Sequence, residues 1–191
     1  MNTVIALQPP LAPDSTVNFT LNGRKVTALK TATLIEIADR EGVEIPRLCY
    51  KEGMEAVGNC RACMVEIKGE RVLAPACCRV AAEGMQVTTD SDRARKSQQL
   101  VIELLQSDMP EKQYTRYNEV DEWAGKLQVG KPRFAPRPAV MADLSHAAIA
   151  VNLDACIQCT RCVRACRDEQ MNDVIGLASR GQDEKIVFDM D

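Results

Sequence analysis

Nine cysteines stand in this 191-residue chain in two groups, five between positions 49 and 78 and four between 156 and 166. The 77 residues between Cys78 and Cys156 hold none. Thiols clustered in this way either pair as disulfides or hold metal. The opening residues MNTVIALQPPLAPDST argue for the second. They have no basic n-region, Pro9 and Pro10 interrupt the apolar stretch, and no twin-arginine pair is present, so they do not read as an export signal. A cytoplasmic location is expected, and there metal binding or redox chemistry accounts for cysteines better than disulfides do.

The composition, 46% hydrophobic and 27% charged, suits one or two small cores. Aromatic residues make up only 4%, so those cores must be built from Val, Ile, Leu, Met and Ala. A net charge of −3 argues against a nucleic-acid partner. No apolar run approaches the ~20 residues that span a bilayer, so no membrane partner is expected.

Residues 1–14 read as a loose Pro-rich tail. Val17, Phe19 and Leu21 alternate with polar residues at strand period, Asn22-Gly23 marks a tight hairpin turn, and Arg24 to Leu29 form the return strand. Thr33 and Glu36 form a capping box ahead of Leu34, Ile37 and Ala38, and Gly42 marks the helix end. Residues 63–68 and 71–74 read as a second hairpin around Gly69, and Met85 to Thr89 as one more strand. Residues 15–90 are thus expected to form a small α+β unit with a mixed sheet, resembling the β-grasp fold. Ser91 and Asp92 start a helix to about Gln106, with Ala94, Val101, Leu104 and Leu105 as its apolar face and Pro110 as its stop. A second helix covers 117–127, with Val120, Trp123 and Leu127 on one side. KPRFAPRPAV (131–140) reads as an extended linker. A hairpin turning near Arg180-Gly181 closes the chain between Val174 and Asp191. The expected units are 15–90, a helical and Pro-rich linker 91–145, and 146–191.

The first group is spaced Cys49-x10-Cys60-x2-Cys63-x13-Cys77, with Cys78 adjacent, so that only one of the last two is expected to be a ligand. Four thiolates can hold a [2Fe–2S] cluster, two on each iron. The x2 spacing is expected to bring Cys60 and Cys63 to one metal centre, with Cys49 and Cys77 arriving from elsewhere. Gly58 would let the loop pass close to inorganic sulfide, and small Ala62 would leave room for amides to reach the sulfurs. The competing account is a zinc-stabilised interaction module. Structural zinc sites, however, present two C-x2–4-C pairs, and only one occurs here.

The second group, DACIQCTRCVRACRDEQ, holds Cys156-x2-Cys159-x2-Cys162-x3-Cys166. This is the run of two-cluster bacterial ferredoxins, with Arg167 where Pro usually follows. Cys156, Cys159 and Cys162 would occupy three corners of one [4Fe–4S] cluster, and Cys166 would serve a second. No second copy of the run follows, which leads us to expect the N-terminal piece of a longer polypeptide. Arg161, Arg164 and Arg167 surround the motif. They either raise cluster potentials or form a solvated helix face. Asp168 and Glu169 read as a solvated helix end, and the sole histidine, His146, as a surface or capping residue. No phosphate-binding glycine loop and no nucleophile–base pair is present, so no catalytic residue is assigned.

The stretch RLCYKEGMEAVGNCRACMVEIKGERVLAPACCR resembles the [2Fe–2S] domain opening the large iron–sulfur subunit of respiratory complex I. Relatives of that domain occur in NAD-dependent formate dehydrogenases and NAD-reducing hydrogenases. The family pattern, counted back from Gly84, selects Cys77 and leaves Cys78 spare. YTRYNEVDEWAGKL, DLSHAAIAVNLDACIQCTRCVRAC and KIVFDMD are most similar to the N-terminal region of the alpha subunit of cytoplasmic NAD-dependent formate dehydrogenases. The resemblance covers about residues 15–191. It implies electron transfer from a molybdenum or tungsten bis-pterin site, in a C-terminal catalytic domain outside these residues, to a flavin- and NAD-binding iron–sulfur subunit. It also implies that one [4Fe–4S] cluster of the family is missing. Met109, Gln113, Arg116 and Glu122 stand where its His and Cys ligands belong. An equivalent role in a hydrogenase or complex I type assembly is the alternative.

Overall fold

The computed structural model describes residues 15–109 and 118–188. The tail 1–14, the stop at Pro110, the positions Gln113 and Arg116, and residues 189–191 lie outside the described residues. The first unit is built on a mixed five-stranded sheet in the order β2-β1-β5-β3-β4. Strand β1 (Thr16–Leu21) pairs antiparallel with β2 (Arg24–Leu29), from Thr16 opposite Leu29 to Leu21 opposite Arg24. Asn22 and Gly23 both take positive φ, 50° and 79°, as a two-residue turn matched to strand twist requires. Period-2 alternation then sends Val17, Phe19, Leu21, Val26 and Ala28 to one buried face.

Helix α1 (Leu34–Arg40) covers that face with Leu34, Ile35, Ile37 and Ala38. Its capping box is complete. The Glu36 amide donates to Thr33 Oγ1 at 3.5 Å, and the Thr33 amide donates to Glu36 Oε2 at 2.8 Å. Gly42, at φ +71°, ends it. Strand β3 (Met64–Ile67) pairs antiparallel with β4 (Ala74–Pro75) and with β5 (Gln86–Thr88), and β5 runs parallel to β1. The second hairpin is therefore looser than its sequence suggests. Residues 71–73 stay outside the ladder, and the return strand is two residues long.

Helix α2 (Asp92–Ser107) starts at Ser91, whose Oγ accepts the Ala94 amide at 3.2 Å. Helix α3 (Glu119–Leu127) starts at Asn118 and packs against it, as expected for Val120, Trp123 and Leu127. The buried stripe of α2 departs from expectation. Ala94 is buried and Val101 and Leu105 pack against the core as expected, but Leu104 is 48% exposed, and Gln98 and the fully buried Ile102 join the stripe. The reason is polar. Gln98 turns inward because its amide nitrogen donates to Met64 O (2.9 Å) and Thr89 O (3.0 Å), bolting the helix to the sheet. Truncating it is expected to strand two buried carbonyls. Gln98→Ala should cost about 1–3 kcal/mol of stability, read by denaturant titration. An unchanged midpoint would show that water replaces both bonds.

Between the helices and the second cysteine group the chain is extended, yet it is not a free spacer. Glu103, on α2, accepts from Arg133 Nε and Nη2, each at 2.7 Å, and the guanidinium holds its carboxyl below the usual range. The Arg137 amide donates to Asp108 Oδ1, and Arg137 Nη2 donates to Leu153 O and Asp154 O, each at 3.1 Å. A hairpin not foreseen from the sequence, β6 (Asp143–His146) with β7 (Ile149–Val151), crosses the boundary expected at 146. His146 lies at the end of β6. The short helix α4 (Arg161–Arg164), a π-turn (Ala165–Glu169) and the hairpin β8 (Ile175–Ala178) and β9 (Lys185–Phe188) complete the last unit. Leu153, Val163 and Ile186 form its small core.

Candidate metal centres

The first cysteine loop lies between two cores. Cys63 and Cys77 belong to the core under the sheet, whereas Leu48 and Ala62, each adjoining a cysteine, are buried in the α2–α3 core. Apolar anchors on both sides hold the loop backbone in place. Arg61, between the two motif cysteines, takes φ +58° to make the turn.

Within this loop the thiols meet two by two, and the pairs are not those of the sequence spacing. Cys60 pairs with Cys49: the Cys49 amide donates to Cys60 Sγ (3.5 Å) and the Cys60 amide to Cys49 Sγ (3.4 Å). Cys63 and Cys77 are both buried in the core under the sheet and act on each other electrostatically, and the Ala76 amide, next to Cys77, donates to Cys63 O at 2.9 Å. The charges of Cys60 and Cys49 still act on Cys63, so the two pairs lie beside each other, as ligands of one binuclear cluster would. The two-residue gap carries Cys60 and Cys63 to opposite partners because Ala62 is drawn into the helix core. The electrostatics follow the pairs. The Cys49 thiol, with the Ala62, Cys49 and Leu48 amides, lowers Cys60 to about 5. Cys63 is lowered chiefly by the Cys77 thiol, and Cys49 and Cys77 are raised in return. In each pair one thiol is made more acidic and its partner less so.

Among the described residues no three His, Cys, Asp or Glu side chains converge on the position of a single metal ion. A mononuclear tetrahedral zinc needs four donors around one point. A binuclear cluster takes two thiolates on each of two irons, which is the arrangement these pairs offer. Four thiols brought together as two pairs are a donor set that fits a [2Fe–2S] cluster. Cys78 stands apart. It is exposed, its Sγ lies 3.5 Å from Cys77 Sγ, and partial desolvation with the Cys77 thiol pushes it up to about 11. Gly58 (φ +60°) faces Cys78. A Cβ there would meet its Sγ at 2.9 Å, so the glycine makes room for a thiol of this chain.

In the second group the charges of Cys159 and Cys156 act on Cys162, which burial pushes up. Cys156 Sγ accepts the Gln158 amide at 3.4 Å. Cys166, on the π-turn, donates instead to Asn172 O at 2.6 Å. Three neighbouring thiols and one turned elsewhere fit three corners of a [4Fe–4S] cluster, which takes one thiolate per iron. The three arginines differ. Arg161 pairs with Glu119, Arg167 pairs with Asp168 on an exposed face, and Arg164 is buried. Of the positions that the resemblance compares with further cluster ligands, Met109 packs against the helix core and Glu122 pairs with Lys126.

The two groups also touch each other. Asn59 Nδ2 donates to Gln158 O at 3.1 Å, and Ile157 packs against the core of Leu48 and Ala62. An open cleft of ≈ 520 Å³ between the loops is lined by Arg61, Thr160, Arg164 and Arg167, among others. Asn59 and Ile157 were not legible as joining residues, because nothing in local spacing marks a contact across a hundred positions.

Residues 14–92 match the family of the 2Fe-2S iron-sulfur cluster binding domain. The chain is 31% identical over 188 residues to the 78 kDa subunit of mitochondrial NADH-ubiquinone oxidoreductase of Candida albicans, covering 89% of this chain and 25% of that protein. It is 31% identical over 181 residues to NADP-reducing hydrogenase subunit HndD of Solidesulfovibrio fructosivorans, covering 87% of this chain and 30% of that protein. The chain thus spans a quarter to a third of the length of these relatives. It superposes on a chain of the crystal structure of NAD+-reducing [NiFe]-hydrogenase in the H2-reduced state. The TM-score is 0.81, over 90% of this chain and 74% of that one, at 24% identity, a likeness of fold. The two relatives are named as subunits of an NADH-ubiquinone oxidoreductase and an NADP-reducing hydrogenase, and neither name refers to formate.

Proposed function

We propose that this chain relays electrons through iron–sulfur clusters inside an NAD-linked oxidoreductase. The pairing of Cys49 with Cys60 and of Cys63 with Cys77 carries the reading, because two thiol pairs, buried except for the half-buried Cys60, suit two irons. Cys49, Cys60, Cys63 and Cys77 would hold the [2Fe–2S] cluster. Cys156, Cys159 and Cys162 would hold a [4Fe–4S] cluster, and Cys166 would serve a second one. The clusters supply one-electron chemistry, and the protein fixes their positions and tunes their potentials. The units 15–90, 91–145 and 146–191 would be the [2Fe–2S] domain, the connection and the first half of a [4Fe–4S] domain.

The substrate end of the relay is read from resemblance. YTRYNEVDEWAGKL and KIVFDMD support a formate dehydrogenase. Its molybdenum or tungsten bis-pterin site would lie in a C-terminal domain of the same polypeptide, its electron acceptor would be a flavin- and NAD-binding iron–sulfur subunit, and its location would be the cytoplasm. No helix of the described residues is long and apolar enough to cross a membrane. The names of the relatives favour a second reading, a relay in a hydrogenase or complex I type assembly.

Low-temperature EPR with iron and sulfide analysis of the anaerobic native complex separates these readings. The expected result is a [2Fe–2S] signal and at least one [4Fe–4S] signal, both developed by formate. Development by hydrogen or NADH but not formate moves the relay to the second reading. Zinc without iron, and no signal, ends both.

A further inference from the structure

Arg164 lies in the second cysteine motif, yet its guanidinium ends on the first cysteine loop. It is 4% exposed. Nη2 donates to Cys49 O at 2.5 Å, Nη1 to Glu55 O at 2.7 Å, and Nε to Thr160 Oγ1 at 3.3 Å. The flanking arginines each reach a carboxylate, Arg161 that of Glu119 and Arg167 that of Asp168. Arg164 reaches none within ion-pair distance among the described residues; its direct partners are neutral oxygens, and Asp168, already paired with Arg167, feels its charge only from farther off. A buried cation is costly unless an opposite charge stands close by. Both neighbours of this cation are candidate anionic centres. One is reached through the backbone of Cys49, and the other through its own helix, which also carries Cys162.

We infer that Arg164 is a positioning residue shared by the two centres. It holds the Cys49 segment against the second motif, and its charge offsets the thiolate-ligated clusters on either side. The inference rests on reading both cysteine groups as cluster ligands. Positive charge between two such clusters favours the reduced, more negative state of each. Arginine suits the place because its planar fork reaches two carbonyls at once and keeps its charge when buried.

The test uses the anaerobic native complex carrying R164Q, R164K or N59A, with the midpoint potential of each EPR signal measured by redox titration. R164Q is expected to lower both midpoints, with each reduction constant falling about tenfold, or ~59 mV for a one-electron couple. N59A, which removes an uncharged bond between the same loops, should leave both in place. R164K should keep both within about threefold of the parent constants, while amide exchange across residues 49–60 accelerates. Unchanged midpoints in R164Q, or equal shifts in N59A, overturn the inference. Should R164Q fail to assemble, R164K decides alone. Retained potentials with faster exchange support the charge-and-position role, and shifted potentials defeat it. Absence of iron–sulfur signals in the parent complex would instead sink the reading beneath it.

Discussion

Replacing Cys60 by serine is expected to abolish the [2Fe–2S] signal and to loosen the whole of residues 15–90. Cys60 is the more acidic partner of the Cys49 pair, set near 5 by the Cys49 thiol and by amides of Leu48, Cys49 and Ala62. A serine hydroxyl is not ionised at neutral pH, so one iron would lose half of its protein ligands. The fold would suffer with the site, because the loop from Leu48 to Cys63 joins the sheet core to the α2–α3 core. Metal loss is among the few single changes that cost about 4 kcal/mol or more. For a unit of this size that lowers the unfolding midpoint by roughly 15–30 °C. Differential scanning calorimetry beside EPR checks both parts. Retention of the signal would remove Cys60 from the ligand set, and loss of the signal at unchanged midpoint would separate site from fold.

The adjacent thiols offer the second large contrast. Cys77→Ser should remove the same signal, whereas Cys78→Ser should leave its shape and intensity unchanged. Cys77 is fully buried in the same core as Cys63, while Cys78 is exposed and turned toward Gly58. The effect is all or none, so spin quantitation on paired preparations suffices. The reverse outcome would transfer the fourth ligand to Cys78 and would require the loop at Pro75 to Arg79 to shift by a residue.

Local rules account for the elements that sequence alone makes legible. Asn22-Gly23 supplies two positive φ values in succession, so the first hairpin and its register follow directly. Thr33 and Glu36 satisfy each other's amides, so α1 begins where expected. Leu104 shows where such rules stop. Hydrophobicity assigned it to the buried face of α2, but the carbonyls of Met64 and Thr89 draw Gln98 inward and rotate Leu104 outward. The β6–β7 hairpin went unread for a related reason: DLSHAAIAV lacks a turn dipeptide, and its pairing carries a register shift.

By itself the sequence determined that there would be two thiol groups, which cysteines make them up, and the order of strands and helices from β1 to α3. Those properties depend on spacing along the chain, which a linear reading measures. Only the tertiary structure decided which thiol meets which. It sent Cys60 to Cys49 and Cys63 to Cys77, and it carried Arg164 across 115 positions to the carbonyl of Cys49. Those choices depend on Ala62 and Leu48 finding a core made by distant helices. Burial of that kind is a property of the packed chain, and no short window of residues contains it.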